Sequence, residues 1–177
     1  MEMRLRARFA SVAALLAVAA LAAMAVPAWL SSAGGASAAA RCTTGKLVVW
    51  LQNPRGGAAA GSTYHKLALT NLSGHACSLL GYPGVSAVDL RGHQLGRAAS
   101  RDPARAPHLV TLASGATATA LLQIVDVFNY SNSACHRVTA AGLRVYPPGA
   151  TAAKVVPFPF AACSRSGPVY LSVRVVQ

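Results

Sequence analysis

The chain has 177 residues, of which 54% are hydrophobic and only 11% charged, with 16 basic and 4 acidic residues and a formal net charge of +12. That length holds one domain with its own core once a leader is set aside. The shortage of acids excludes much chemistry. Beyond residue 38 there is no glutamate, and the carboxylate side chains are Asp89, Asp102 and Asp126. A glycosidase needs two carboxylates flanking one bond, and these three read as a strand end, a loop residue before Pro103 and another strand end. No G-x-S-x-G elbow, G-x-x-x-x-G-K-[ST] loop or G-x-G-x-x-G turn occurs, so neither an activated serine nor a nucleotide cradle is expected. The expectation is a protein without enzymatic activity and without a cofactor.

The N-terminus reads as an export signal. Arg4, Arg6 and Arg8 precede an uncharged stretch of Ala, Leu, Val and Met over residues 9–26, and a small-residue tract follows over residues 31–40. This is the n-, h- and c-region order of a secretory leader. Ala36-Ser37-Ala38 supplies the cleavage pattern, so residues 1–38 are expected as a signal peptide, with Ala38-Ala39-Ala40 as a second cleavage candidate. The competing reading is an uncleaved anchor over residues 9–30, long enough for a bilayer of about 30 Å but weakened by its alanines and Pro27. With no adjacent Arg-Arg pair, general secretion is favoured over twin-arginine export. Cys42 follows Arg41 rather than a small residue, so no lipid anchor is expected. Either way the remainder is expected to be secreted or extracytoplasmic.

Cys42, Cys77, Cys135 and Cys163 all lie downstream of the leader. In an exported chain four cysteines read as a disulfide framework with three possible pairings. The sequence-local choice is Cys42–Cys77 with Cys135–Cys163, each bridge worth roughly 3–4 kcal/mol by loop entropy. His75 and His136 flank cysteines, but no C-x-x-C and no H-x₃₋₅-H accompanies them, so no metal site is expected.

After a short linker over residues 39–45, residues 46–177 read as strands and turns. Leu47, Val49 and Leu51 fall at period two with Lys46 and Gln52 on the other parity; Leu67 and Leu69 oppose Lys66. Ala118, Ala120, Leu122 and Ile124 share a face opposite Thr117, Thr119 and Gln123. Val169, Leu171, Val173 and Val175 alternate with Tyr170, Ser172 and Arg174. Period-two patterning marks half-buried strands, and runs such as Asn71-Leu72-Ser73-Gly74, Tyr82-Pro83-Gly84 and Pro147-Pro148-Gly149 mark the turns. Residues 96–107 hold Arg97, Arg101 and Arg105 with few apolar residues and read as an exposed basic loop. The expected fold is all-β: a single immunoglobulin-like β-sandwich with two disulfides behind the signal sequence.

Gly61-Ser62-Thr63-Tyr64, Leu69-Thr70-Asn71-Leu72-Ser73-Gly74, Gly81-Tyr82-Pro83-Gly84-Val85-Ser86 and Leu143-Arg144-Val145-Tyr146-Pro147-Pro148 carry a resemblance. Over nearly the whole chain past the leader, the sequence resembles the actinobacterial secreted family catalogued as domain of unknown function four-two-three-two. The resemblance implies an extracytoplasmic β-sandwich behind a signal or lipoprotein leader, and it implies no activity.

Two kinds of function remain. One is a binding or interaction module of the cell envelope, its partner an envelope protein or polysaccharide, with Tyr82 and Tyr146 beside rigid turns as an aromatic platform. The alternative is a low-specificity binder of polyanions or anionic membrane surfaces, driven by a net charge of about +10 after Arg4, Arg6, Arg8 and Glu2 leave with the leader. Its densest patch would be Arg97, Arg101 and Arg105. The arginines form no run, so sequence-specific nucleic-acid binding is not expected. Oligomeric state is not legible.

Overall fold

The computed structural model describes residues 38–52 and 56–177, and in it the alternating segments become strands. The expected signal peptide, and its alternative as an anchor, lie outside the described residues apart from Ala38. The larger sheet runs β1 (Leu47–Leu51), β3 (Ser62–Asn71), β9 (Thr117–Val125), β12 (Leu171–Val173) and β7 (Ser100–Arg101). β2 (Gly57–Ala59) is hairpinned onto the start of β3. The second sheet runs β11 (Lys154–Cys163), β10 (Arg137–Tyr146), β5 (Gly84–Val88) and β6 (Gln94–Leu95). A two-stranded ribbon pairs β4 (Cys77–Leu80) with β8 (Leu109–Leu112). The order β1-β3-β9 opposite β11-β10-β5 is the A-B-E and G-F-C order of an immunoglobulin-type sandwich. The place beside strand E is taken by the C-terminal strand β12, antiparallel to β9.

The alternation in β9 decides which face is inside. Ala118, Ala120, Leu122 and Ile124 are all buried. Alanines cover little area, so bulk comes from Leu67 and Leu69 of β3, Leu171 and Val173 of β12, and Leu143 and Val145 of β10, all buried. Between Ala140 and Gly142 the β10–β11 register slips, one residue of β10 facing two of β11. A Cβ on Gly142 would collide with the Val156 carbonyl, so the bulge requires glycine there.

The C-terminal strand departs from the expected alternation at its start. Val169, expected inward, is 39% exposed, and Tyr170 is fully buried with its hydroxyl donating to the Leu95 carbonyl at 3.1 Å. The pairing begins only at Leu171, so Val169 and Tyr170 do not obey the strand's parity. Burial pushes the Tyr170 phenol up to about 12. Past Val173 the chain stays bonded to β9: Arg174 N–H donates to Leu121, and Gln177 and Thr119 exchange backbone bonds of 2.9 Å.

The disulfides are Cys42–Cys77 and Cys135–Cys163, the sequence-local pairing. The first ties the N-terminal strap to β4, and the second ties the approach to β10 to the end of β11. Residues read as a linker are held in place: Ser78 donates from its amide to Ala40 and from its hydroxyl to Ala39, and Cys42 N–H donates to Ser78. Asn71, fully buried, locks the turn that follows β3. Its amide nitrogen faces the carbonyls of His75, Leu112 and Ala113 at 2.8, 3.0 and 3.2 Å, and its oxygen accepts from Ser73 N–H.

Candidate functional site

Each carboxylate is engaged with its own neighbours. Asp89 accepts from the Arg91 and His93 amides and lies 3.2 Å from the His93 ring nitrogen. Desolvation would raise its carboxyl, but the His93 and Arg91 amides outweigh that and hold it below the usual range. Asp102 sits 2.7 Å from the Arg174 guanidinium and accepts from the Ala104 amide; those two contacts hold its carboxyl low. Asp126 caps the turn over Val127–Asn129 by accepting from Phe128 N–H. Asp126 remains exposed, and the net charge facing solvent is cationic.

The basic segment is a fixed structure rather than the open loop its composition suggested. Ala99 N–H donates to Val85 in one sheet, Ser100 and Arg101 pair in parallel with β12 in the other, and Asp102 N–H donates to Val173. The backbone of a polar segment thereby satisfies the open edge of β12, a bond hydropathy does not reveal. Arg97, Arg101 and Arg105 are all exposed. The Arg101 guanidinium lies 5.5 Å from the centre of the Tyr82 ring, so structure joins one aromatic candidate to one basic candidate. Arg105 donates to the Gln177 side chain at 2.8 Å, and Arg97 has no side-chain partner among the described residues. Tyr146 is placed elsewhere: it pairs with Gly84, where a Cβ would stand 3.4 Å from it. Among the described residues no ring contact joins Tyr82 to Tyr146.

The four cysteines are consumed in disulfides, and among the described residues no three His, Cys, Asp or Glu side chains gather. The His136 ring nitrogen lies 2.6 Å from the Ser164 hydroxyl, which also donates to the His136 carbonyl. No carboxylate among the described residues orients that ring, and the pair closes the turn beside Cys135–Cys163. Among the described residues no helix is long and apolar enough to cross a membrane.

Two surfaces escaped sequence reasoning. At one end of the sandwich a cleft of about 530 Å³ is lined by the hairpin over residues 58–63, the end of β9, Phe160 and Ala161. That hairpin turns through Ala60 at φ 45° and Gly61 at φ 69°; a left-handed alanine costs about 1–2 kcal/mol. The second is the outward face of the larger sheet. Register places Trp50 beside Ala68 and Thr119, Lys66 beside Leu121 and Arg174, and Tyr64 beside Gln123 and Ser172. The Trp50 indole N–H donates to Thr70 Oγ1 at 3.1 Å, and that oxygen lies 2.8 Å from Thr117 Oγ1. Gln123 is held at both ends, donating to Ser62 and accepting from Ser172 at 3.0 Å each. The outward parity of these residues was readable; the rows needed the strand register.

No curated protein matches the chain, and no solved structure does. A family model described as a domain of unknown function, DUF4232, matches residues 42–177, the whole sandwich from its first disulfide cysteine onward, and the chain belongs to that family.

Proposed function

We propose that this protein is an exported binding module of the cell envelope, without enzymatic activity, whose partner is an envelope polysaccharide or protein. The observation that carries the reading is the immobilised basic segment. Arg97, Arg101 and Arg105 stand exposed on backbone bonded to both sheets, while each of the three carboxylates accepts from nearby backbone amides. A rigid cationic surface on a disulfide-tied scaffold binds with little ordering cost. The leader pattern, the two disulfides and the family membership support an extracytoplasmic location, tested by mass spectrometry of the native protein for a new N-terminus near Ala39.

A second reading rests on the excess of charge itself: low-specificity attachment to polyanions or anionic membranes. Retention on acidic polymers and anionic vesicles across a salt series separates the two. Charge-driven association collapses as the Debye length falls from about 10 Å at 0.1 M to about 3 Å at 1 M, whereas association with a shaped surface persists. Replacing Arg97, Arg101 and Arg105 together by serine should weaken binding more than replacing Lys46, Arg91 and Arg165. Equal losses would leave net charge as the sole cause and refute a defined surface.

A further inference from the structure

We propose that the outward face of the larger sheet is a saccharide platform for an acidic polysaccharide, a reading that rests on the envelope-binding function above and assigns it a second surface. Sugar rings present an apolar face that stacks on aromatics and a rim of hydroxyls that needs oriented donors and acceptors. This face supplies both in fixed positions. Trp50 is 39% exposed, yet its ring is oriented by the bond to Thr70. Tyr64 lies on the same face four residues before Ala68, the partner of Trp50. At about 3.4 Å per residue the two backbone positions stand roughly 14 Å apart along the strands, and the indole leans further on toward Thr70, a span for about three or more sugar units.

The polar array lies in the Tyr64 row and at Ser62 just beyond it, and the Lys66–Leu121–Arg174 row lies between the aromatics. Gln123 is clamped by Ser62 and Ser172, so its amide and the two hydroxyls are already ordered before any ligand arrives. Charge selects the sugar. Lys66 and Arg174 flank Leu121 from either side of β9, about 10 Å apart at the usual strand spacing. Asp102 takes the Arg174 Nε and offsets its charge, so the row keeps a single net positive charge, with the remaining guanidinium nitrogens of Arg174 directed past that pair. A uronate polymer is complementary to that row; a neutral glucan is not. A bilayer fits poorly, because the large exposed apolar side chains Val48, Trp50 and Leu72 gather at one end of this face, among the described residues, and leave the Lys66 and Gln123 rows polar.

The test titrates the disulfide-bonded protein with polygalacturonate, dextran, inorganic polyphosphate and phosphatidylglycerol vesicles, reading affinity and tryptophan emission. Polygalacturonate should bind, shift the Trp50 emission and remain bound at about 0.15 M salt, where exposed charges beyond about 8 Å are screened. Trp50→Ala should weaken it at least tenfold and Gln123→Ala several-fold, with dextran binding far more weakly. Polyphosphate should bind only at low salt and be indifferent to Trp50→Ala. If Trp50→Ala and Gln123→Ala keep the native denaturation midpoint and bind polygalacturonate as the parent does, the platform is refuted while the basic module stands. Trp50-dependent binding to vesicles but not to polygalacturonate would overturn the choice of ligand. Absence of binding to every anionic probe at low salt would remove both readings.

Discussion

Replacing Asn71 with leucine tests how the sandwich joins its two-stranded ribbon to the larger sheet. The side chain is fully buried and shares leucine's branching and heavy-atom count, so the substitution removes polarity while keeping the shape and adds only the extra bulk of two methyl groups. It removes donation toward the carbonyls of His75, Leu112 and Ala113 and acceptance from Ser73 N–H. Each lost bond is worth about 0.5–1.5 kcal/mol net, and each buried carbonyl left dry costs about 1–3 kcal/mol. The carbonyls of the exposed residues His75 and Ala113 recover water, and Ala113 keeps its bond from Ala116 N–H, leaving the Leu112 carbonyl as the costly one. The expected loss is about 3–5 kcal/mol. Urea denaturation with the disulfides intact, at a slope of about 1.5 kcal/mol/M, should show a midpoint lowered by about 2–3 M. Ser73→Ala removes two exposed bonds, from Ser73 Oγ to the His75 carbonyl and from the His75 amide to Ser73 Oγ, which solvent replaces, and should cost under about 0.5 kcal/mol. A loss below about 1 kcal/mol for Asn71→Leu, or equal losses for the two variants, would refute the assignment of this side chain as the ribbon's lock.

Leu171→Ala, at a fully buried site beside the alanine face of β9 in the same sheet, should cost about 2–5 kcal/mol. Removing Cys135 and Cys163 together, a bridge with a sequence separation of 28, should cost a similar 3–4 kcal/mol; a silent Leu171→Ala would mean the strand is slipped by one residue. In alkaline spectrophotometric titration the Tyr170 phenol should ionise near 12, and Tyr170→Phe should abolish that late step. Because the folded value is raised, its contribution to stability is complete below pH 10 and is lost as pH climbs toward 12. The Arg174 contact depresses the Asp102 carboxyl, so its contribution is present above the ordinary carboxylate value near 3.8 and lost as pH falls below it. Both groups are partly solvated, so Arg174→Ala should shift the neutral-pH midpoint by under about 1 kcal/mol and flatten the acid limb of the profile.

The fold was legible where a residue's fate depends on its neighbours in sequence. Period two in β9 marked Ala118 to Ile124 as core, and four cysteines past a leader marked two bridges. It was illegible where the fate depends on a distant partner. Residues 96–107 are polar, so hydropathy reads them as loop, but they are ordered by backbone bonds to β12 more than seventy residues later. Tyr170 was assigned outward by parity, yet the approach of Gly96 and the carbonyl of Leu95 give its ring and hydroxyl an inward place. Among the candidate site residues, Arg97, Arg101 and Arg105 were found by charge density. The link from Arg101 to Tyr82, and the alignment of Trp50, Lys66 and Gln123 into rows, exist only once register is set. Side-chain type was visible in the chain; adjacency was not.

The edge strand β11 carries Pro157 and Pro159. Proline has no N–H, and a sheet tolerates it only where the missing donor points away from its partner. A second copy arriving at this edge would find two of its carbonyls without mates over three residues. Copies of this protein can therefore crowd at high local density without one sandwich extending the next into a filament across β11. Any self-association has to use another border of the molecule, and a proline-to-valine pair at 157 and 159 is the change that would turn a protected margin into a sticky one.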